Sequence, residues 1–377
     1  MLYRITCDNY TIYNPQVQSD ELVLSDVKLK LESNTAGSLT FNINPNHPYY
    51  NYIFPFRSII NVYRNNTCIW RGRVTSEGED FNRKQSKSCE GALAFLNDVQ
   101  YPCSKLARVG GLQSHIASML NAYNANASDA TKIYLGTVTV DPDVTDHIMM
   151  EPNDYMPCFD RLSQLLDVVG GYVTIRIAND GKAYLDYNYG IPETQAKTIR
   201  FGVNLLDLKR ETQIESLKNA ILPLGALLSE DNDIERLDIS SIADGPISGT
   251  NYTKSGLYVI DQDSIDLFGR YETVETWENV TNASSLIGLA CNKLESISSV
   301  PIQIEAQFID MNYIDPSQEP INILDSAMIF SVPHNYATGE LVPILAMELD
   351  LNNPANNKYT VSETIDVTMV DYILQNF

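Results

Sequence analysis

Apolar and polar residues alternate along Val27-Lys28-Leu29-Lys30-Leu31 and again along Leu39-Thr40-Phe41-Asn42-Ile43. A period of two is the signature of a half-buried β-strand. Similar runs at Met1–Cys7, Val23–Glu32, Leu39–Ile43, Ser58–Tyr63, Cys68–Thr75 and Phe81–Glu90 predict a β-barrel or sandwich over residues 1–102. A short helix near Ala92–Asn97 would close it. The segment Asn44–Pro55 carries three prolines, which cannot donate to a sheet ladder, so it is predicted to be a loop. Asn65-Asn66 suits a tight hairpin turn, because Asn tolerates positive φ.

Beyond Pro102 the period lengthens. Leu112, Ile116, Met119, Leu120 and Tyr123 share one helical face, and Phe159, Leu162, Leu165, Leu166 and Val169 share another. The second helix is expected to start at Asn153 or Asp154, with Pro157 in its first turn and Gly170 just past its end. Asp180-Gly181 between the alternating runs Tyr172–Ala178 and Lys182–Tyr187 predicts a hairpin. From Phe201 the pattern returns to strands, at Gln213–Pro223, Ser255–Ile260, Tyr271–Trp277, Ile302–Asp310, Ala327–Val332 and Leu341–Leu351. Ala283–Ile297 reads as a helix capped by Thr281 or Asn282, and Leu228–Asp238 as a charged connection. No repeat of 20–50 residues is present.

Length and charge refine this picture. At 377 residues the chain predicts two to four domains. Its net charge of −22 is uneven: residues 1–110 hold 12 Lys/Arg against 10 Asp/Glu, residues 111–225 hold 9 against 14, and residues 226–377 hold 5 against 24. A nucleic-acid-binding groove needs clustered cations, which the acidic two-thirds lacks. Six cysteines without a CxxC pair, and four histidines, fit reduced thiols in a cytosolically folded protein and show no zinc spacing. The start Met1-Leu2-Tyr3-Arg4 has no signal-segment pattern, and no apolar run reaches the ~20 residues of a membrane span.

Catalytic motifs are absent: the sequence holds neither HExxH nor GxSxG. A Cys68–His47 pair is conceivable, but ordinary buried roles are favoured roughly ten to one. His115 falls off its helix's apolar face and is expected to be solvated. His147 beside Asp141, Asp143 and Asp146 could bind a metal, though a solvated acidic loop is favoured. Ser229–Glu235 lacks the Gly at position six and the Glu at position twelve of a calcium loop and reads as a polar turn. No cofactor, metal or catalytic residue is therefore expected. Tyr49, Tyr50 and Tyr52 in the Pro-rich loop are a candidate contact patch; covering the barrel's own core is an equally good reading.

Several phrases occur in a telling order: Asn44–Tyr50 (NPNHPYY), Ile60–Arg64 (INVYR), Trp70–Val74 (WRGRV), Cys89–Asp98 (CEGALAFLND), Gly170–Arg176 (GGYVTIR), Tyr184–Tyr187 (YLDY), Phe201–Leu208 (FGVNLLDL), Leu222–Ala226 (LPLGA) and Met347–Thr360 (MELDLNNPANNKYT). This ordered set resembles the tail-tip hub proteins of phages and prophages of Gram-positive bacteria, the prophage endopeptidase tail or tail-associated lysin family. The family is similar to the baseplate hubs of contractile phages. The resemblance implies a β-rich α+β multidomain fold, with two small β-barrel-like domains and α/β domains inserted between and within them. The expected domains are 1–102, an N-terminal barrel; 103–200, an α/β domain with two helices and a hairpin; 201–228 plus 301–377, a discontinuous second barrel; and 229–300, an inserted α+β domain.

The resemblance further implies a structural virion protein and not an enzyme. It would be a homotrimer at the tail tip, assembled in the host cytoplasm, whose six barrels adapt a hexameric distal tail protein to a threefold tip. Its channel would be formed or closed around DNA, which passes without specific binding, and around the tape measure protein. Receptor-binding proteins are possible further partners. An acidic lumen would repel passing DNA. In wall-degrading members the lytic module follows the hub region; 17 residues follow Thr360 here, so a bare hub is expected if the natural chain ends at 377, and a distal fibre or lysin module if it continues. The alternatives are a peptidoglycan hydrolase and a host-envelope carbohydrate-binding module; Trp70 and Trp277, both in strand patterns, speak against the latter.

Overall fold

The computed structural model describes residues 3–16, 22–106, 108–139, 148–150, 154–190, 197–212, 217–229, 232–278, 280–298, 302–315, 317–334 and 336–363. The chain is β-rich with few helices, as expected, and divides into two compact units. The first comprises Met1–Leu208 and Glu305–Val361; the second is built on Lys209–Ile304.

The first unit holds a large curled sheet. Its N-terminal strands are β1 (Tyr3–Cys7), β2 (Tyr10–Tyr13), β3 (Leu24–Glu32), β4 (Ser38–Ile43), β5 (Ile59–Arg64), β6 (Thr67–Glu79) and β7 (Gln85–Gly91). They run in the order β3-β4-β7-β6-β5-β1-β2. The alternation of β3 and β4 is realised: Val27, Leu29, Leu39, Phe41 and Ile43 are buried, while Lys28, Lys30 and Thr40 are exposed. Asn65 turns β5 into β6 at φ +55°. The short 3-10 turn Ala92–Asp98 packs its apolar residues inward. Arg73 pins this turn, reaching Asp98 at 2.5 Å and Glu90 at 2.7 Å.

The sheet continues beyond β3. The strand Tyr336–Asp350 pairs with it antiparallel, Met347 opposite Leu31 and Asp350 opposite Lys28. Lys358–Glu363 and Ser326–Ser331 flank that strand in turn, and Lys197–Arg200 runs parallel to Ser326–Ser331. The turn between the two C-terminal strands is knotted by its own polar residues. Asp350 Oδ1 accepts from the amides of Asn352 and Asn353, Asn357 Oδ1 accepts from Asp350 N at 2.9 Å, and Asn352 Oδ1 accepts from Val27 N at 2.8 Å.

The same unit contains α1 (Leu112–Asn124) and α2 (Cys158–Val169) on a three-stranded sheet. The hairpin Tyr172–Ile177 and Ala183–Asn188 forms as predicted, and Ile133–Val138, which the pattern missed, lies parallel to Ala183–Asn188. Asn34, at φ +61°, docks the β3–β4 turn on this sheet: its Oδ1 accepts from Val173 N at 2.7 Å and its Nδ2 donates to Gly171 O at 3.1 Å.

Several local expectations are corrected. Helix α2 begins at Cys158 with Pro157 as its cap, not at Asp154; the fixed φ of proline sets the entry, and Asn153 lies outside the described residues. His115 is buried: three residues after Leu112 and four before Met119, it lies at the edge of the one face that α1 packs. The connection Leu228–Asp238 is largely a hairpin of Leu227–Ser229 with Asn232–Arg236. Of the strand expected over Gln213–Pro223, Ala220–Leu224 forms, and residues 213–216 lie outside the described set.

The second unit is a five-stranded sheet in which Ala220–Leu224 pairs with Tyr258–Ile260 and with Glu272–Thr276. Helix α3 (Gln262–Phe268), not anticipated, is capped by Asp261, which accepts from Ser264 N. Helix α4 (Ala283–Ile297) has the predicted bounds and cap, Asn282 accepting from Ser284 N and Ser285 N. Its Leu286, Ala290 and Leu294 close the core over Ile221 and Val259. Buried Asn219 clamps this unit, accepting from Tyr271 N at 2.7 Å and donating to Gly269 O at 2.8 Å.

Candidate docking surface

The Pro-rich loop between β4 and β5 lies against the free edge of β2. An exposed sheet edge offers unpaired carbonyls and amides to other chains. Here His47 covers one of them. Its Nε2 is 2.8 Å from Ile12 O and its Nδ1 is 3.1 Å from Tyr49 N. The carbonyl can only accept and the amide can only donate, so the ring is the neutral tautomer with the proton on Nε2. The loop is anchored at three more points. Tyr50 Oη meets Glu79 Oε2 at 2.9 Å and the main-chain oxygen of Arg83. Ser58 Oγ accepts from Phe54 N at 3.1 Å. Buried Lys87 donates to Ile53 O at 3.1 Å and to Glu77 at 2.5 Å.

These anchors sort the three tyrosines. Tyr50 points inward and is buried, Tyr49 is half-buried, and Tyr52 is 57% exposed. Tyr49 packs on Tyr10 of β2 with ring centroids 4.9 Å apart and meets Tyr52 edge-on at 6.0 Å. Phe54 and Phe56 of the same loop are 46% and 68% exposed. Phe56 sits at φ +56°, a region that bulky side chains avoid, and its amide donates to Val74 O at 2.7 Å. Arg57 and Arg73 lie over the Phe54 and Phe56 rings at 5.6 and 5.3 Å. The sequence reading named Tyr49 and Tyr52 but not Tyr10, Phe54 or Phe56; only pairing β2 into the sheet brings Tyr10 to the loop.

Burial lowers the His47 pKa below its ordinary 6.5. The folded chain therefore binds fewer protons here than the unfolded chain, and stability falls as pH drops through about 6.5 toward the lowered folded value. His47→Gln, which can still donate to Ile12 O and accept from Tyr49 N, is expected to lose less stability than wild type between about pH 7 and pH 5. Urea midpoints at the two pH values test this; parallel shifts in both proteins would refute it.

The other candidate chemistry does not assemble. His47 spends both ring nitrogens as described, and Cys68 Sγ lies 3.4 Å from Trp70 O, so the Cys68–His47 pair is not formed. Burial pushes the Cys7 and Cys158 thiols up to about 11 and raises Cys68, Cys89 and Cys291 as well, which keeps them from acting as thiolates. Ser331 Oγ is 2.6 Å from His334 Nδ1, an i, i+3 pair the sequence reading overlooked, but Ser331 is buried. The group Asp141, Asp143, Asp146 and His147 lies outside the described residues, as do Glu230 and Asp231. Among the described residues no cluster of three metal-ligating side chains is present, and no helix is long and apolar enough to cross a membrane.

No family model matches the chain, and no curated protein matches it. Solved structures do. The prophage MuSo2 43 kDa tail protein from Shewanella oneidensis superposes with a TM-score of 0.61 at 13% identity, covering 96% of this chain and 97% of its own. The tail protein from Neisseria meningitidis MC58 gives 0.58 at 11% identity, covering 96% of each chain. The prophage tail protein gp18 from Listeria monocytogenes EGD-e gives 0.53 at 13% identity, covering 100% of this chain and 98% of its own. The resemblance read from the ordered motifs thus has its counterpart in three dimensions: this chain has the fold of prophage tail proteins over essentially its whole length.

Proposed function

We propose that this chain is a structural subunit of a phage or prophage tail, the hub of the tail tip or baseplate. The observation that carries the reading is a tail-protein fold matched end to end, at 96% or more of both chains. In this reading three copies form a homotrimer. Each contributes an N-terminal barrel and a second barrel built mainly from the strands beyond residue 301, with 103–200 as one insertion and the unit on Lys209–Ile304, which takes in Ala220–Leu224, as the other. The six barrels dock beneath a hexameric distal tail protein, and heterologous contacts that close by rotation form the ring. The channel inside would carry DNA and the tape measure protein, with acidic walls that discourage DNA from sticking. The protein would not be an enzyme, and receptor-binding proteins would attach further out.

The aromatic surface of Tyr10, Tyr49, Tyr52, Phe54 and Phe56 is the docking face for the distal ring. Apolar area rimmed by arginines is the composition that protein interfaces favour. Light scattering of this protein mixed with the distal tail protein of the same genome tests the reading. Three copies, about 127 kDa, are expected per hexameric ring. The double variant Tyr52→Ala/Phe56→Ala should weaken docking at least tenfold. A chain that stays at 42.2 kDa and ignores the ring would refute the hub reading.

A further inference from the structure

Trp70 of β6 is buried, yet its indole N–H meets no acceptor among the described residues. A buried donor has lost its hydration, so it is ordinarily paired with protein or with an internal water. The acceptor best placed to serve it directly is close but misses. A Cβ built on Gly91 would stand 2.8 Å from Trp70 Nε1 and 1.7 Å from Ala36 O. The two atoms are therefore no further apart than those lengths laid end to end, about 4.5 Å. Ala36 lies between β3 and β4, outside both strands, and its carbonyl accepts from no donor among the described residues. Gly91, with no Cβ, leaves the gap between donor and acceptor open.

Both residues border a cavity of about 60 Å³, which Glu32, Thr35, Gly37 and Ile175 also line. A single water needs about 10–15 Å³ of room and about two to four polar partners. We propose that an internal water binds here, accepting from Trp70 Nε1–H and donating to Ala36 O. Glu32 and Thr35 supply oxygens for its second proton. The site has a structural role that the location explains. The turn between β3 and β4 is already tied to three other elements. Ser33 N donates to Leu345 O at 3.0 Å, in the strand Tyr336–Asp350. Asn34 grips Val173 and Gly171 at the hairpin of the three-stranded sheet. Gly91 N of β7 donates to Gly37 O at 3.2 Å. The water adds β6 as the fourth, so the joint of the N-terminal strands, the C-terminal strands and the hairpin holds a solvent molecule as one of its parts.

The test is water-selective NMR on the full chain carrying 15N-tryptophan. The chain has two tryptophans, so two indole N–H signals are expected. Trp277→Phe, at a half-buried position, removes one and identifies the other as Trp70. A water held beside the indole proton gives a cross-peak at the water frequency with the sign of a rotating-frame Overhauser effect, opposite to that of proton exchange. Trp70 is expected to show it, with an intensity that does not rise with pH as exchange would. A high-resolution crystal structure of the unaltered chain is an independent readout. It should place a water oxygen about 2.7–3.2 Å from both Trp70 Nε1 and Ala36 O. A Trp70 signal without that cross-peak, or with one of the exchange sign alone, would overturn the inference. So would a crystal structure in which Trp70 Nε1 donates directly to Ala36 O.

Discussion

Gly91→Ala is expected to unfold this protein or cost at least about 4 kcal/mol, more than a point substitution ordinarily costs. Gly91 and Gly72 face each other across the β6–β7 pair, and the indole of Trp70 folds back over both. A Cβ on Gly91 would stand 1.7 Å from Ala36 O and 2.8 Å from Trp70 Nε1; a Cβ on Gly72 would stand 2.1 Å from Glu90 O and 2.3 Å from the Trp70 ring. Neither obstacle is a flexible side-chain end. Backbone carbonyls in a sheet cannot retreat without breaking the ladder, so the sheet has to open. Gly91 has φ −78°, a conformation any residue adopts, so the effect is steric alone. Gly288 provides the contrast: it is exposed within α4 with nothing near its Cβ position, and Gly288→Ala should gain about 0.5–1 kcal/mol from helix propensity. Thermal unfolding of the three proteins checks this. A Gly91→Ala chain melting at the wild-type temperature would overturn the packing argument.

That glycine pair shows why the ordered motifs were readable. WRGRV supplies Trp70, Gly72 and Arg73, and CEGALAFLND supplies Glu90, Gly91 and Asp98; together they form one packing unit in which Arg73 grips both carboxylates. NPNHPYY supplies His47, the cover of the β2 edge. MELDLNNPANNKYT supplies the Asp350–Asn357 knot and Tyr359, stacked on Phe308 at 4.0 Å. Each phrase marks a place where backbone or side-chain geometry has a single solution. What these phrases encode is packing and turn geometry, and that is why the fold is legible in them.

What escaped the sequence is long-range. Alternation placed β3 and the strand near Leu341–Leu351 separately, but no local signal says that Leu29 lies opposite Leu349. The edge position of β2, hence the joining of Tyr10 to Tyr49, depends on which strand ends the sheet. His115 sits at the i+3 and i−4 positions from Leu112 and Met119, on the edge of the packed face, where a polar side chain is read as solvated although the position is covered. Helix α3 is short; its signal was Asp261 three residues before Ser264, a cap without enough apolar periodicity behind it.

Arg64 illustrates the same limit and carries the second large effect. It reads in sequence as the polar end of a strand before a turn, a place for a solvated cation. The structure buries it. Nη1 donates to Ile321 O at 2.7 Å and Nη2 to Asn322 Oδ1, residues more than 250 positions away. Nearby are the buried hydroxyls of Tyr3 and Tyr313, 2.9 Å apart, and the carboxyl groups of Asp310 and Asp325. Asp310 is held by the amides of Asn312 and Ile321. Burial pushes the Asp325 carboxyl up, while Asn322, Lys197 and Arg64 pull it down. Arg64→Met keeps the apolar stem and removes the charge, leaving buried acids without this cation. The expected cost is about 1.5–3 kcal/mol near pH 7, the scale of losing hydrogen bonds from a charged donor and leaving Ile321 O unpaired. Its pH dependence has a definite sign. An acid whose folded pKa is raised binds more protons folded than unfolded, so stability falls as pH rises through that range. Losing Arg64 raises Asp325 further, so the deficit should shrink as pH is lowered toward the ordinary carboxylate value of 3.8. Urea midpoints of wild type and Arg64→Met across that range measure it. A deficit that is constant with pH would mean that Arg64 acts through its hydrogen bonds to Ile321 and Asn322 alone, and that its charge carries no part of the stability.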